Sequence, residues 1–273
     1  MAKVLHILDV AGVPSILSYY YNKLKKGKSN LIYHEKKSFS SSISRFYHGK
    51  SFRKYKMLLI KGFFNSFHYE IIHIHRAEVL VPLFKLSGKK VVLHYHGSDI
   101  NEKNRSQNKM RVFCRSMADL IIYNGKKMEP YIITNKPVKK VFLPNPVDTE
   151  HFCLKDNKKR NGKLIFVSNN LDKNKTIEVA TNLGQVDVID LDKQQIPYSN
   201  MPELLSKYEV YIDVKIMPWG YTLPDMSTTA LQALACGCKV YHDGKIIEKL
   251  PKEFKPINVI NKLDKYYQDI LKN

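Results

Sequence analysis

The sequence has few acidic residues for its size. It contains 25 Asp and Glu against 45 Lys and Arg, which gives a formal net charge of +20 over 273 residues. Such a balance attracts polyanions, among them nucleic acid, anionic lipid and phosphorylated substrates. Most of the excess is lysine, whereas bidentate phosphate recognition favours arginine, so a role in solubility alone is also compatible with the charge.

Cysteine is scarce, and long apolar runs are missing. The four cysteines are Cys114, Cys153, Cys236 and Cys238. No histidine pair near the last two completes a zinc pattern, so we expect small buried side chains and no disulfide framework, as in a reducing cytoplasm. No signal peptide pattern is present, and no run of about 18 apolar residues predicts a transmembrane helix.

Short β-branched runs alternate with amphipathic segments along the chain. The predicted strands are 4–10, 31–34, 71–75, 91–94, 120–123, 163–167, 186–191, 210–214 and 238–241, and the predicted helices are 16–24, 110–117, 176–183, 228–235 and 263–271. This alternation predicts an α/β fold with parallel sheets and right-handed crossovers. Pro144-Asn145-Pro146 and the charged run that follows mark a boundary. We therefore expect two doubly wound domains, 1–146 and 147–273, whose last helix could pack back on the first domain.

Doubly wound sheets bind ligands beyond the carboxyl ends of their strands. Gly12 lies between the first strand and a helix, where backbone amides can cradle a phosphate or an acceptor. His96 and Asp99 follow the strand that begins at Val91; the histidine can hydrogen-bond a sugar hydroxyl, and the aspartate can orient it. An aspartate helix cap beside a structural histidine explains the same two residues without a functional role.

The segment from Phe142 to Phe152, with its Pro-Asn-Pro-Val-Asp sequence, resembles the interdomain signature of retaining GT-B glycosyltransferases of family 4. Other segments resemble that family in the same order: 72–75, the His-Gly-Ser-Asp strand end at 94–100, the first donor-lobe strand at 164–167, and the helix and strand at 231–240. The resemblance covers nearly the whole chain. It implies two Rossmann-like domains that face each other across a cleft. It also implies transfer of a hexose from a nucleotide diphosphate sugar to a glycan or lipid-linked acceptor, with retention and without a cofactor.

The resemblance further implies a set of donor-binding residues. Lys175 matches the family lysine that binds the donor diphosphate. Asn170 stands where the family has an arginine, which removes a fixed cationic fork, and Lys173 could supply part of that charge.

The helix at 228–235 carries the other implied contacts. Pro224 occupies the place of the family glutamate that contacts the transferred sugar, and Asp225 is the nearest carboxylate. Gln232 replaces the glutamate that holds the ribose and can still hydrogen-bond a hydroxyl. Ser227 and Thr228 open the helix, whose amides would receive the diphosphate unless the serine is only a helix cap.

In this scheme, catalysis depends on positioning and on electrostatic stabilisation of the leaving diphosphate. The catalytic candidates are His96, Asp99 and Asp225, and no metal is expected in this scheme. The departures at Asn170 and Pro224 leave open a degenerate family member that binds a nucleotide sugar or a partner without turnover. The net charge leaves open a basic RNA-binding α/β protein.

The stretch from Lys23 to Lys61 holds twelve Lys or Arg against a single Glu, with Tyr and Phe interleaved. Such a composition suits an anionic membrane surface, and it also suits single-stranded nucleic acid or an ordinary solvated face. Nucleic acid ranks last, because no RNA- or DNA-binding signature accompanies the charge. We expect a cytoplasmic enzyme that can lie on the inner face of the cell membrane, near lipid-linked acceptors.

Overall fold

The computed structural model describes residues 1–34, 43–44, 46–96, 100, 106–154, 160–218 and 225–272. The chain divides into two compact units. Unit 1 comprises Met1–Pro146 and Pro256–Asn273, and unit 2 comprises Val147–Lys255. Within the described ranges, no helix has both the length and the apolar character needed to cross a bilayer.

Unit 1 is built on a seven-stranded sheet in which every neighbouring pair is parallel. Its strands are β1 (Ala2–Ile7), β2 (Gly27–His34), β3 (Lys50–Phe52), β4 (Ile71–His75), β5 (Lys90–Tyr95), β6 (Leu120–Tyr123) and β7 (Lys140–Phe142). The spatial order is β3-β2-β1-β4-β5-β6-β7. The strand order reverses between β1 and β4, which places a topological switch point at their carboxyl ends.

Helices cover both faces of this sheet. They are α1 (Val13–Lys23), α2 (Tyr55–Ser66), α3 (Val81–Lys85) and α4 (Lys109–Ser116), with short 3-10 turns at Glu78–Leu80 and Lys126–Tyr131. Residues alternate between the two faces along each strand. Leu5 and Ile72 therefore join one core cluster with Leu58 of α2, whereas Val4 and Ile71 join a second cluster with α1.

Unit 2 contains a five-stranded sheet in the order β12-β11-β10-β8-β9. Its strands are β8 (Lys163–Val167), β9 (Asp187–Asp190), β10 (Val210–Ile212), β11 (Lys239–His242) and β12 (Lys245–Ile247). Its helices are α5 (Lys173–Thr181), α6 (Met201–Leu205) and α7 (Thr228–Ala235), with 3-10 turns at Tyr198–Asn200 and Lys252–Phe254. Only the β11–β12 pair is antiparallel among the described strand pairs of this unit.

The last helix, α8 (Pro256–Lys272), belongs to unit 1. Its buried residues fall on one face and complete the core cluster formed with α1; they are Val259, Ile260, Leu263, Tyr267 and Ile270. The hydroxyl of Tyr21 in α1 donates to Oδ1 of Asp264 at 2.9 Å. The helix therefore closes the second face of the unit 1 sheet.

The predicted α/β fold with parallel sheets is confirmed, and several elements differ from the prediction. The strand predicted at 4–10 ends at Ile7, because Leu8 takes a left-handed backbone with φ 70° and the chain turns into the loop before α1. Six of the described helices and strands were not predicted: α2, α3, α6, β3, β7 and β12. The helix predicted at 263–271 begins earlier, at Pro256.

Candidate functional site

His96 lies directly after β5 at the carboxyl edge of the unit 1 sheet, and it is only 6% exposed. Its Nδ1 is 3.4 Å from Oδ1 of Asn145, and its Nε2 is 2.9 Å from Nδ1 of His75. Burial lowers the pKa of His96 to about 4, against the opposing effect of the hydrogen bond to Asn145. The ring is therefore neutral at physiological pH, and the long contact to Asn145 is the one that a sugar hydroxyl could replace. Asp99 lies outside the described residues.

His96 belongs to a group of buried histidines on one face of the sheet, which we call the histidine cluster. Its members are His6, His73, His75, His94 and His96. The strand register pairs His6 with His73 and His75 with His94. Sequence reasoning found only His96, although the spacing of two between His73 and His75, and between His94 and His96, places each pair on one face of a strand.

Asp9 lies between β1 and α1, near the switch point of the unit 1 sheet. Its Oδ2 accepts hydrogen bonds from the hydroxyls of Ser15, at 2.8 Å, and of Ser44. Burial raises the pKa of Asp9 to about 6, even though the hydrogen bonds from Ser44 and Ser15 act in the opposite direction. A carboxylate that titrates near neutral pH has the property that a general base requires. Sequence reasoning did not single it out.

Gly12 is the N-cap residue of α1 and has a left-handed backbone, with φ 75°. A β-carbon on this residue would lie 2.6 Å from Cγ2 of Ile43 and closer still to its Cδ1. Glycine is therefore required here by the close approach of Ile43 and by the backbone conformation. Its proposed contact with the donor stays a prediction.

In unit 2, the loop after β8 carries the predicted phosphate-binding residues. Asp172 caps α5, because its Oδ1 accepts from the backbone amide of Lys175 at 3.2 Å. The side chain of Lys175 is 62% exposed, and its Nζ lies 3.7 Å from Oδ2 of Asp172. Asn170 is exposed in the same loop. Lys175 thus presents a solvent-accessible cation at the N-terminus of α5.

Lys173 lies in the first turn of α5 and is engaged by acidic residues that follow β9. Its Nζ lies 2.8 Å from a carboxylate oxygen of Asp190 and 2.8 Å from one of Asp192. Two carboxylates offset its single charge, so Lys173 is less suited than Lys175 to compensate for the arginine missing at Asn170.

Asp213 follows β10 and organises the N-terminus of α7. Its carboxylate accepts from the amide of Ser227 at 2.9 Å and from the hydroxyl of Ser227 at 2.7 Å, and it lies 3.1 Å from Nδ1 of His242. Burial disfavours the ionised form, but the hydrogen bonds from His242 and Ser227 and the charge of Lys215 together hold the pKa of Asp213 below its usual range. Asp213 and His242 each lie at the carboxyl end of a strand, which was the available signal, but sequence reasoning missed them.

The predicted residues on α7 occupy different environments. Ser227 is the N-cap, because its Oγ accepts from the amide of Ala230 at 3.1 Å. Thr228 is the first residue of the helix, Gln232 is buried within it, and Asp225 is exposed before it. Pro224 lies outside the described residues. The roles of these side chains toward a donor stay predictions.

The sheet order brings these segments to the same edge of unit 2. β8, β10 and β11 are neighbours and parallel, so the loops after them lie side by side. The amide of Asp172 donates to the carbonyl of Ile216 at 2.8 Å, which joins the loops after β8 and β10 directly. Lys175 and the N-termini of two helices therefore share the carboxyl edge of one sheet, an arrangement suited to binding an anion.

No protein-family model matches the chain, and no curated protein matches it by sequence. By structure, it is similar to a glycosyltransferase from Rickettsia africae ESF-5, with 10% identity over 100% of this chain and 99% of that chain and a TM-score of 0.59. It is also similar to the UDP-GlcNAc 2-epimerase from Methanocaldococcus jannaschii, with 9% identity, coverage of 97% and 99%, and a TM-score of 0.54. A further UDP-N-acetylglucosamine 2-epimerase matches with 12% identity, coverage of 99% and 89%, and a TM-score of 0.51.

These similarities show the fold. The chain has two Rossmann-like units of the GT-B type, the architecture shared by glycosyltransferases and UDP-sugar epimerases, and this confirms the predicted fold class. At such low identity, the comparison carries no assignment of donor, acceptor or stereochemistry. Membership of the retaining family 4 stays a prediction from the sequence motifs.

Proposed function

We propose that this protein is a glycosyltransferase that takes a hexose from a nucleotide diphosphate sugar. The observation that carries the proposal is the carboxyl edge of the unit 2 sheet, where the exposed Lys175 and the N-termini of α5 and α7 converge. The fold around this edge is one that a known glycosyltransferase also adopts. A diphosphate matches the charge and the hydrogen-bonding character of such an edge.

In the proposed reaction, the enzyme stabilises the diphosphate as the glycosidic bond breaks. Lys175 faces the growing negative charge, and the first amides of α7 beside Thr228 donate to the phosphate oxygens. The carboxylate of Asp213 places a negative charge at the N-terminus of α7. The charge of Lys215 and the hydrogen bond from His242 offset it. Gln232 holds the ribose, and Asp225 contacts the transferred sugar.

The family resemblance supports transfer with retention, in which the acceptor hydroxyl attacks from the face that the diphosphate leaves. His96 then orients the sugar as a neutral imidazole. Asp9 supports a second route, because a carboxylate with a pKa of about 6 can remove the acceptor proton for attack from the opposite face, with inversion. The anomeric configuration of the product, read by proton NMR, distinguishes the two routes.

An exposed apolar stripe on α2 supports a lipid-linked acceptor. Met57, Ile60 and Phe64 of the helix and Phe67 at its C-cap are 41–64% exposed, and their spacing places them along one side of the helix. Lysines at 54, 56 and 61 flank the stripe. Apolar side chains between cations suit the headgroup region of an anionic bilayer, so we propose that unit 1 docks on the cytoplasmic face of the membrane through α2.

The experiment that tests the function begins with thermal shift against a panel of uridine, guanosine, adenosine, cytidine and thymidine diphosphate sugars, since binding to the native state raises Tm. The stabilising donor is then followed for release of free nucleoside diphosphate. We expect one nucleotide class to stabilise the protein and to be turned over. If no sugar nucleotide raises Tm, the proposal is wrong.

The other readings give distinct results in the same experiment. Binding without any nucleotide release in the presence of membrane extract would indicate a protein that holds a nucleotide sugar without turnover. Conversion of the sugar at C2 without its transfer would indicate an epimerase. A salt-dependent mobility shift of RNA, with no donor binding, would indicate an RNA-binding protein.

A further inference from the structure

The histidine cluster places more imidazoles in the core of unit 1 than its hydrogen bonds satisfy. All five rings are 6% exposed or less. Within the described part of the chain, Nε2 of His73 and both ring nitrogens of His94 have no hydrogen-bond partner. A buried polar atom without a partner costs on the order of 1–3 kcal/mol, and a bound group that contacts Nε2 of His73 would remove one of these three costs.

Three members of the cluster form a chain of hydrogen bonds with a consistent direction. His96 Nδ1 faces the amide oxygen of Asn145 and acts as donor there, so its Nε2 accepts from Nδ1 of His75 at 2.9 Å. His75 Nε2 is then an acceptor, and it lies 2.9 Å from Nδ1 of His6. A neutral imidazole has one donor and one acceptor nitrogen, which leaves the Nε2 lone pair of His75 facing His6.

His73 is oriented in a related way. Its Nδ1 lies 2.6 Å from the hydroxyl oxygen of Tyr267 in α8, and its Nε2 is the unpartnered nitrogen. When Nδ1 donates to the tyrosine oxygen, Nε2 carries a lone pair. A histidine held by a hydrogen bond through one nitrogen, with the other nitrogen left as a lone pair, is the usual condition of a metal-ligating histidine.

We propose that His6, His73 and His75 bind a divalent transition-metal ion, with Zn²⁺ the best match, between β1 and β4. One nitrogen from each ring lies within 4.8 Å of the others. His6 changes to its Nε2–H tautomer, which moves the proton off Nδ1. The ion then lies between Nδ1 of His6 and Nε2 of His75 and takes Nε2 of His73 as its third ligand. Imidazole nitrogen is a preferred ligand of Zn²⁺, at a distance of about 2.0–2.1 Å.

The three rings must move to reach a tetrahedral arrangement. With two nitrogens 2.9 Å apart, an ion about 2.05 Å from each subtends close to 90°, whereas tetrahedral binding needs a separation of about 3.3 Å. The His6–His75 pair must therefore open by about 0.4 Å, and His73 must approach.

The site joins the two strands at the switch point of the unit 1 sheet, whereas the proposed donor-binding edge belongs to unit 2. It also leaves His96 outside the ligand set while fixing its tautomer through His75. The ion would therefore act as a structural link that holds His96 in one orientation.

The test measures metal in the full-length protein, purified without a polyhistidine tag. After dialysis, emission spectrometry should find about one Zn²⁺ per chain, and replacement by Co²⁺ should give visible absorption typical of nitrogen ligation. A wild-type protein that holds less than about a tenth of an equivalent, and that remains so after incubation with excess Zn²⁺ or Co²⁺, overturns the proposal.

Two matched variants locate the ion. His73→Gln should reduce the bound metal at least tenfold, whereas His94→Gln, on the neighbouring strand and equally buried, should retain it. Circular dichroism checks that both variants are folded. If either variant is unfolded, the metal content of the wild-type protein alone decides whether the proposal holds. Loss of metal in His94→Gln with retention in His73→Gln would contradict this ligand set, and so would full retention in both.

Discussion

Alanine at residue 12 should destabilise unit 1 more than alanine at residue 88, and the difference should report the packing of Ile43 on the loop before α1. Both glycines have a left-handed backbone, with φ 75° at Gly12 and 72° at Gly88. A methyl group at residue 88 would meet no atom within 4 Å, whereas at residue 12 it would lie 2.6 Å from Cγ2 of Ile43. The pair separates backbone strain, which both variants share, from steric overlap, which only Gly12→Ala introduces.

The magnitude follows from three contributions. A left-handed backbone costs a residue with a β-carbon about 1–2 kcal/mol, and the lower entropy of the unfolded alanine chain returns about 0.4–1 kcal/mol. Overlap in a filled site adds about 1–3 kcal/mol. We therefore expect the free energy of unfolding to fall by about 1 kcal/mol in Gly88→Ala and by about 2–4 kcal/mol in Gly12→Ala.

The assay is urea denaturation followed by circular dichroism, with hydrogen exchange of the β1–α1 peptide to assign the change to unit 1. The same pair is then measured in an Ile43→Gly background, which removes all three atoms of Ile43 that the methyl group would meet, Cδ1, Cγ2 and Cβ. The excess cost of Gly12→Ala should vanish there. Equal losses for the two variants in the wild-type background would refute the reasoning, and so would an excess that persists in the Ile43→Gly background.

Three further predictions concern charge and surface. Asp9→Asn should stabilise the protein, and the gain should be about 2 kcal/mol larger at about pH 7.5 than at about pH 4.5. The reason is that the pKa of Asp9 is raised to about 6 in the folded protein. The cost of ionising Asp9 in the folded state is therefore absent below the unfolded pKa and complete above about pH 6. A gain in unfolding free energy that is independent of pH would contradict the shift. Lys175→Ala should weaken donor binding in calorimetry by on the order of 1–2 kcal/mol, because it removes a cation facing a diphosphate. Lys207 is the matched control, because its side chain is 63% exposed and that of Lys175 is 62% exposed. Lys207→Ala should leave the Kd unchanged, and equal effects of the two substitutions on Kd would count against the assignment. Phe64→Ser should reduce sedimentation with anionic vesicles about tenfold, whereas Leu86→Ser, 80% exposed on another element, should not; similar reductions, or binding insensitive to salt, would argue against docking through α2.

Much of the framework was predictable because buried parallel strands are continuous apolar runs. The bounds of β4, β6 and β8 were predicted without error, since each run is bordered by polar or turn-forming residues. The helix α2 was not predicted, because its exposed side carries Met57, Ile60 and Phe64 in place of polar residues and the 3.6-residue pattern is lost. Among the described strands, β12 pairs with β11 alone. Its three residues are too few to show the alternating pattern that predicts a strand.

The sites were less predictable because they depend on pairing between distant segments. The motif at the start of α7 could be read from sequence, but its hydrogen bonds to Asp213 depend on the order of β10 and α7 in space. The exposure of the Lys175 side chain and the ion pairs of Lys173 both depend on where the loop after β9 lies. The histidine cluster needed the register that sets His6 against His73, which no local pattern specifies.

The position of α8 has a consequence for the order in which the chain folds during synthesis. The whole of unit 2, Val147–Lys255, is synthesised between the first part of unit 1 and α8. At synthesis rates of about 5–20 residues per second, the sheet face of unit 1 that α8 covers therefore stays open for on the order of ten seconds after β7 is made. The histidine cluster gains its contact with Tyr267 only after that interval.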